Sequence, residues 1–115
     1  MAVTKTNSSI TQVTATGNST DIDISNAYAA TAHIEHNNGT GTITVAAQID
    51  VRVSSDGGTT WYVLATLVAD TTASSQQWWV VDLPPGSDTV DLDYTAPTGS
   101  TGHTLDMDVG EITAI

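Results

Sequence analysis

Val51-Arg52-Val53-Ser54-Ser55-Asp56-Gly57-Gly58-Thr59-Thr60-Trp61-Tyr62-Val63 reads as a turn between two strand-like arms. On the incoming side Ile43, Val45, Ala47, Ile49, Val51 and Val53 take every second position, with Thr42, Thr44, Gln48, Asp50 and Arg52 between them. A period of two belongs to a strand with one face in a core. Asp56-Gly57-Gly58 tolerates positive φ without a Cβ clash, and the residues after it suit a pleated surface. The stretch therefore predicts a β-hairpin. Its incoming arm, Thr42 to about Ser54, is about 40 Å long at about 3.3 Å per residue, so it is expected to bend and pass from one sheet to another. The return arm, Thr60 to Ala69, carries Trp61, Val63, Ala65 and Leu67 on one face and Tyr62, Leu64 and Val68 on the other. Apolar residues on both faces predict a central or doubly covered strand.

Outward from the hairpin the same alternation recurs. Asp21-Ile22-Asp23-Ile24-Ser25, Ala30 to His36, Gln76 to Leu83, Thr89 to Tyr94 and His103 to Val109 each read as strands, and Ser9 to Ala15 reads as an edge strand. Asn37-Asn38-Gly39-Thr40-Gly41 predicts a hairpin turn that needs left-handed residues, and Pro84-Pro85-Gly86-Ser87-Asp88 ends a ladder. After Val109 the apolar parity slips, which predicts a β-bulge at Gly110. Residues 1–8, rich in Thr, Ser and Asn, are expected to form a flexible arm that orders against a partner, leaving 9–115 as one domain. The fold class that follows is all-β, a two-sheet antiparallel sandwich of seven or eight strands, jelly-roll or immunoglobulin-like.

Composition excludes several function classes. The 115 residues suffice for one core, and with no cysteine neither a disulfide framework nor a thiolate metal site can form. The formal charge is −11, and the only cations are Lys5 and Arg52. Polyanions and anionic lipid are repelled, so neither nucleic acid nor membrane is an expected partner. The N-terminus lacks the pattern of a secretory signal, and no apolar run approaches the roughly 20 residues that span a bilayer. Synthesis in a host cytoplasm is the expectation.

No group of residues assembles a catalytic sequence pattern. Asp21 and Asp23, Asp91 and Asp93, and Asp106 and Asp108 each share a strand face, as outward positions opposite an apolar face do. They lack the compact loop spacing of a calcium site. His33 and Glu35 point to one side of their strand and His36 to the other, while His103 starts a distant strand, so no zinc set of three or four ligands is expected. No serine sits in a nucleophile-elbow sequence and no helix start offers a phosphate site. The chain reads as non-enzymatic, with no catalytic residue, metal or cofactor. Adjacent Trp78 and Trp79 must point to opposite faces: Trp79 goes inward with Val81 and Leu83, and Trp78 lies on a mixed face with Gln76, Val80 and Asp82. An exposed tryptophan marks a partner interface or a sugar-stacking platform, unless the 84–87 loop or the N-terminal arm covers it. Trp78, Val80 and the arm residues Val3, Thr4 and Lys5 are the candidate interface.

The hairpin tip, with Ser54, Asp56, Gly58, Thr60 and Trp61, resembles the Asp-box, in which an Asp side chain ties back loop amides and a Trp packs beneath the turn. Sialidases carry several copies on propeller blades; one copy in a chain this short implies a structural role. From about residue 40 onward the chain resembles the capsid decoration, or cement, proteins and related surface domains of tailed bacteriophages. The residues that carry this are 54–64, Asp91-Leu92-Asp93-Tyr94 and Gly99-Ser100-Thr101-Gly102-His103-Thr104-Leu105. The resemblance implies a virion structural protein that binds the major capsid protein of a phage head, as a homo-oligomer such as a dimer or trimer. The alternative is a carbohydrate-binding module or a receptor-binding tail or fibre domain.

Overall fold

The computed structural model describes residues 3–114. Among them every regular element is a strand: β1 (Thr4–Val13), β2 (Gly17–Asn18), β3 (Ile22–Asp23), β4 (Ala29–Asn37), β5 (Thr40–Val45), β6 (Gln48–Ser54), β7 (Tyr62–Val68), β8 (Gln76–Leu83), β9 (Thr89–Thr95), β10 (Thr98–Thr101) and β11 (Thr104–Ala114). One antiparallel sheet has the order β1-β11-β4-β8; the other has the order β2-β9-β6-β7, with β3 continuing the β2 edge along β9. Apart from the β6–β7 hairpin and the split β2–β3 edge, the chain changes sheet at each step, twice by way of a β5–β10 ribbon. That is a jelly-roll sandwich rather than an immunoglobulin-like one. The expected seven or eight strands become eleven segments, because one edge strand is split into β2 and β3 and because β5 and β10 pair outside the two sheets.

Alternation along the strands fills the space between the sheets. Ile10, Ala32, Ile34, Leu105, Met107 and Val109 from one sheet meet Ile49, Val51, Val90, Leu92 and Tyr94 from the other, all buried in one cluster. At about 25 cal/mol per Å² of apolar area, this burial is the main stabilising term in a chain with no covalent cross-link. The ribbon depends on glycine. Gly39 and Gly99 have φ of +70° and +95°, and a Cβ would lie 2.2 Å from the Thr101 carbonyl oxygen and 2.1 Å from that of Thr42, respectively.

Several local expectations are corrected. The long arm does bend, breaking at Ala46–Ala47 between β5 and β6, but Asn37 to Gly41 is not a hairpin turn, since β5 pairs with β10 and β4 with β11 and β8. The return arm is not central: β7 is an edge strand, with Tyr62, Val63 and Val68 more than half exposed. A register shift at Leu64 switches its parity, which accounts for apolar residues on both faces. No bulge occurs at Gly110. β11 stays in register with β4 through Ile112, which turns the carboxyl-bearing Glu111 inward, and the irregularity falls at Thr113 against β1. Asp91 is not a solvated outward residue but is buried and ion-paired to Arg52.

The arm expected over residues 1–8 is also corrected. Met1 and Ala2 lie outside the described residues, Val3 is exposed, and Thr4 onward belongs to β1. Thr4 pairs with Ala114, Lys5 with Ile112, Thr6 with Glu111, Asn7 with Gly110 and Ser8 with Val109. A serine- and threonine-rich segment gains a strand's order here because β11 supplies an open edge with matching polar positions. Deleting residues 1–8 therefore strips half of β1 from its sheet, and thermal unfolding is expected to show a melting temperature lower by roughly 5–10 °C; an unchanged value would contradict this pairing.

Candidate functional site

The exposed face of the β1-β11-β4-β8 sheet carries the most distinctive surface chemistry. Register places Trp78 of β8 opposite Glu35 of β4, which lies opposite Asp106 of β11. In the next row Val80 faces His33, His33 faces Asp108, and Asp108 faces Ser9. All of these side chains except Ser9 line a shallow depression of about 180 Å³. Trp78 is 63 % and Val80 65 % exposed, so neither the 84–87 loop nor the N-terminal strand covers the ledge. Asp106 accepts the Gln12 amide at 2.8 Å and Asp108 accepts the Ser9 hydroxyl, which leaves each carboxylate free to take further donors. An aromatic surface beside carboxylate acceptors suits a flat, hydroxyl-bearing or cationic guest. Of the other candidate interface residues, Val3, Thr4 and Lys5 are exposed, Thr4 and Lys5 at the start of β1, far in the register from Trp78.

Trp79, as its position predicts, turns inward and packs on the core, but on an edge strand it stays partly exposed. β8 itself is held firmly. The Asn38 side-chain amide donates to the Asp70 carbonyl and carboxylate and to the Thr72 carbonyl, at 3.0, 2.8 and 2.9 Å. Asp70 in turn accepts the Ser75 hydroxyl, and its amide donates to Gln77 at 2.7 Å. The loop entering β8 is thereby tied to the β4–β5 connection. Sequence reasoning passed over Asn38 as a turn residue, and the available signal was an amide side chain in a buried bend.

The hairpin tip forms a closed set of hydrogen bonds. Ser54 Oγ donates to Asp56 and accepts the Gly58 amide, and Asp56 accepts the Thr60 amide at 2.8 Å. The Thr60 amide first, then the Ser54 and Thr60 hydroxyls, hold the Asp56 carboxyl down at about 2. Trp61 lies over the Arg52 guanidinium, 4.8 Å from its ring centroid, and Arg52 makes a bidentate pair with Asp91 at 2.8 and 2.6 Å. One of the two cations of the chain is consumed in this way.

Between the sheets the fold brings together residues that sequence reasoning kept apart. His36 is fully buried with Nε2 2.7 Å from the Tyr94 hydroxyl, and Tyr94 lies between the rings of His36 and His103. His103 Nε2 lies 2.8 Å from the Thr14 carbonyl, which fixes it as the donor, and Nδ1 lies 3.1 Å from the Ser100 hydroxyl. His36 Nδ1 and Asn38 Oδ1 find no protein partner. Burial raises the Tyr94 phenol well above its usual range. The same burial, with the His103 charge behind it, pushes His36 down against the opposing pull of Asn38 and Asp70. The acidic pairs do not converge: among the described residues no three His, Cys, Asp or Glu side chains come together as a metal would need.

The described residues thus form a jelly-roll domain with an aromatic and acidic outer face. No family model and no curated protein matches the chain. Among solved structures it is similar to a chain described under "Bacillus endospore appendages form a novel family of disulfide-linked pili", with a TM-score of 0.52 and 21 % identity over 98 % of this chain and 88 % of that one. At that identity the likeness concerns the fold.

Because the folded protein lowers the His36 pKa, its stability contribution is complete above the unfolded value of about 6.5 and is lost as pH falls below that value. Melting temperatures measured from pH 7.5 to 5 are expected to drop for the native chain and to drop less for His36→Gln; parallel curves would contradict a buried neutral imidazole.

Proposed function

We propose that the protein is a non-enzymatic structural subunit of a multi-copy surface assembly, specifically a decoration protein that docks on the major capsid protein of a tailed-phage head and stabilises the shell. The observation that carries this reading is the asymmetry of its two flanks. On one flank the edges are broken: β1 shifts register between Ile10 and Val13, where Gln12 has a φ of +52°, and the opposite sheet ends in the fragments β2 and β3. On the other flank β8 is unbroken and β7 shifts once, at Leu64; together they expose Tyr62, Val63, Val68, Trp78 and Val80 and carry neither lysine nor proline. Monomeric proteins guard such edges, and a protein built to join others exposes them.

Two further facts support it. The surface is acidic enough to keep free copies apart while they are made in quantity. The similar solved chain is described under disulfide-linked pili that form Bacillus endospore appendages. Lacking cysteine, this chain has to rely on non-covalent contacts, multiplied by copy number, for a comparable role. A location on the virion surface follows from the decoration reading.

The aromatic ledge favours a second reading, a receptor-binding module that stacks a sugar ring on Trp78 and offers Glu35, Asp106 and Asp108 to its hydroxyls. Mass spectrometry of purified virions from the source host discriminates the two. A near-stoichiometric ratio of this chain to the shell protein is the expected result; its absence from heads, together with glycan quenching of tryptophan fluorescence that Trp78→Ala abolishes, would establish the second reading instead.

A further inference from the structure

We propose that β8 is the contact of an isologous dimer. In it two copies join β8 to β8 antiparallel, about a two-fold axis normal to the β1-β11-β4-β8 sheet, with Trp79 opposite its own counterpart. The inference rests on the multi-copy reading and names its first partner as a second copy of this chain.

An edge strand presents unpaired amides and carbonyls that another extended strand satisfies best. Among the four edges β8 is the one without interruption: it pairs with β4 from Ala30↔Leu83 to Asn37↔Gln76 with no register shift. β1 and β7 are both shifted, and β2 and β3 are two residues each. The Asn38 clamp and the Asp70–Gln77 bond hold β8 in its extended form before any partner arrives. Two copies of a chain with charge −11 bring one strand carboxylate each to this seam, Asp82, which already accepts from Thr31.

Side-chain chemistry selects the register. A two-fold axis normal to the sheet keeps both outer faces on one side, so residues of like parity stand opposite each other. With Trp79 on the axis, Trp78 faces the partner's Val80 twice, an aromatic–β-branched pairing, and Asp82 faces the partner's Gln76, an amide donor. The partly exposed Trp79 rings meet at the centre, where association removes their remaining contact with water. Shifting the axis to Val80 places Asp82 opposite the partner's Trp78 and forfeits both matches. Two-fold contacts of this kind are the commonest route to a closed oligomer.

With no native cysteine, disulfide trapping reads the register directly. Residues directly opposite lie about 4.5–5.5 Å apart at Cα, within disulfide reach, whereas Trp78 and its own counterpart, offset by two residues along the strand, are roughly 8 Å apart and outside it. An oxidised equimolar mixture of Trp78→Cys and a size-tagged Val80→Cys is expected to yield the mixed dimer at least about tenfold over either homodimer. Dominance of the Val80→Cys homodimer, or no covalent product, would overturn the register. The unmodified chain gives an independent readout: amide exchange in β8, and not in β1, is expected to slow as concentration rises. Slowing in β7 and β8 together, with open-ended polymers in sedimentation, would overturn the dimer but leave the multi-copy reading standing. Monomer at every concentration, with virions lacking the chain, would remove both.

Discussion

Two sheets with one apolar face each must close on one another, and that closure is the main support of the molecule. Neither helix nor disulfide contributes among the described residues, so the inward row through Ile34, Met107, Val51, Leu92 and Tyr94 sets what every strand is able to do. A strand that slips by one residue would exchange that row for its carboxylates. This is why β4, β8, β9 and β11 hold long, uninterrupted registers, while irregularities are confined to the edges and the ribbon.

Scarcity of cations shapes the rest. Arg52 is enclosed between Trp61 and Asp91, so the hairpin tip, β6 and β9 are joined by one charged contact. Removing either partner alone would strand a buried charge, a far greater loss than the pair's net worth. Lys5 sits on β1, at the opposite flank from β8, and the depression beside Trp78 is lined by neither lysine nor arginine. The field around the molecule is therefore negative nearly everywhere.

Much of this architecture was legible in the residues. The hairpin at 54–61, the break in the long arm, the inward Trp79 and the outward Trp78 all follow from period two and turn chemistry. What escaped was set by pairing across distance. The composition of residues 4–8 gives no hint that β11 offers them a ladder, and apolar residues on both faces of β7 signal a shifted edge as readily as a central strand. Glu111 occupies an apolar-parity position, so a bulge at Gly110 was the cheaper reading until the continuous β4–β11 register excluded it. Asp91 looked like its neighbour Asp93, and only the cross-strand position of Arg52 separates them. His36 and His103, remote in sequence, converge on Tyr94 because β4, β9 and β11 lie together in the sandwich.

The pairing of Thr4 with Ala114 has a topological consequence. Backbone near the two ends of the described chain runs side by side, so a linker of a few residues would join them into a ring. Reopening that ring at the exposed Gly86, where added bulk meets nothing, would yield a circular permutant. Its order of synthesis would begin with β9 and finish with β8, yet the same neighbours would meet.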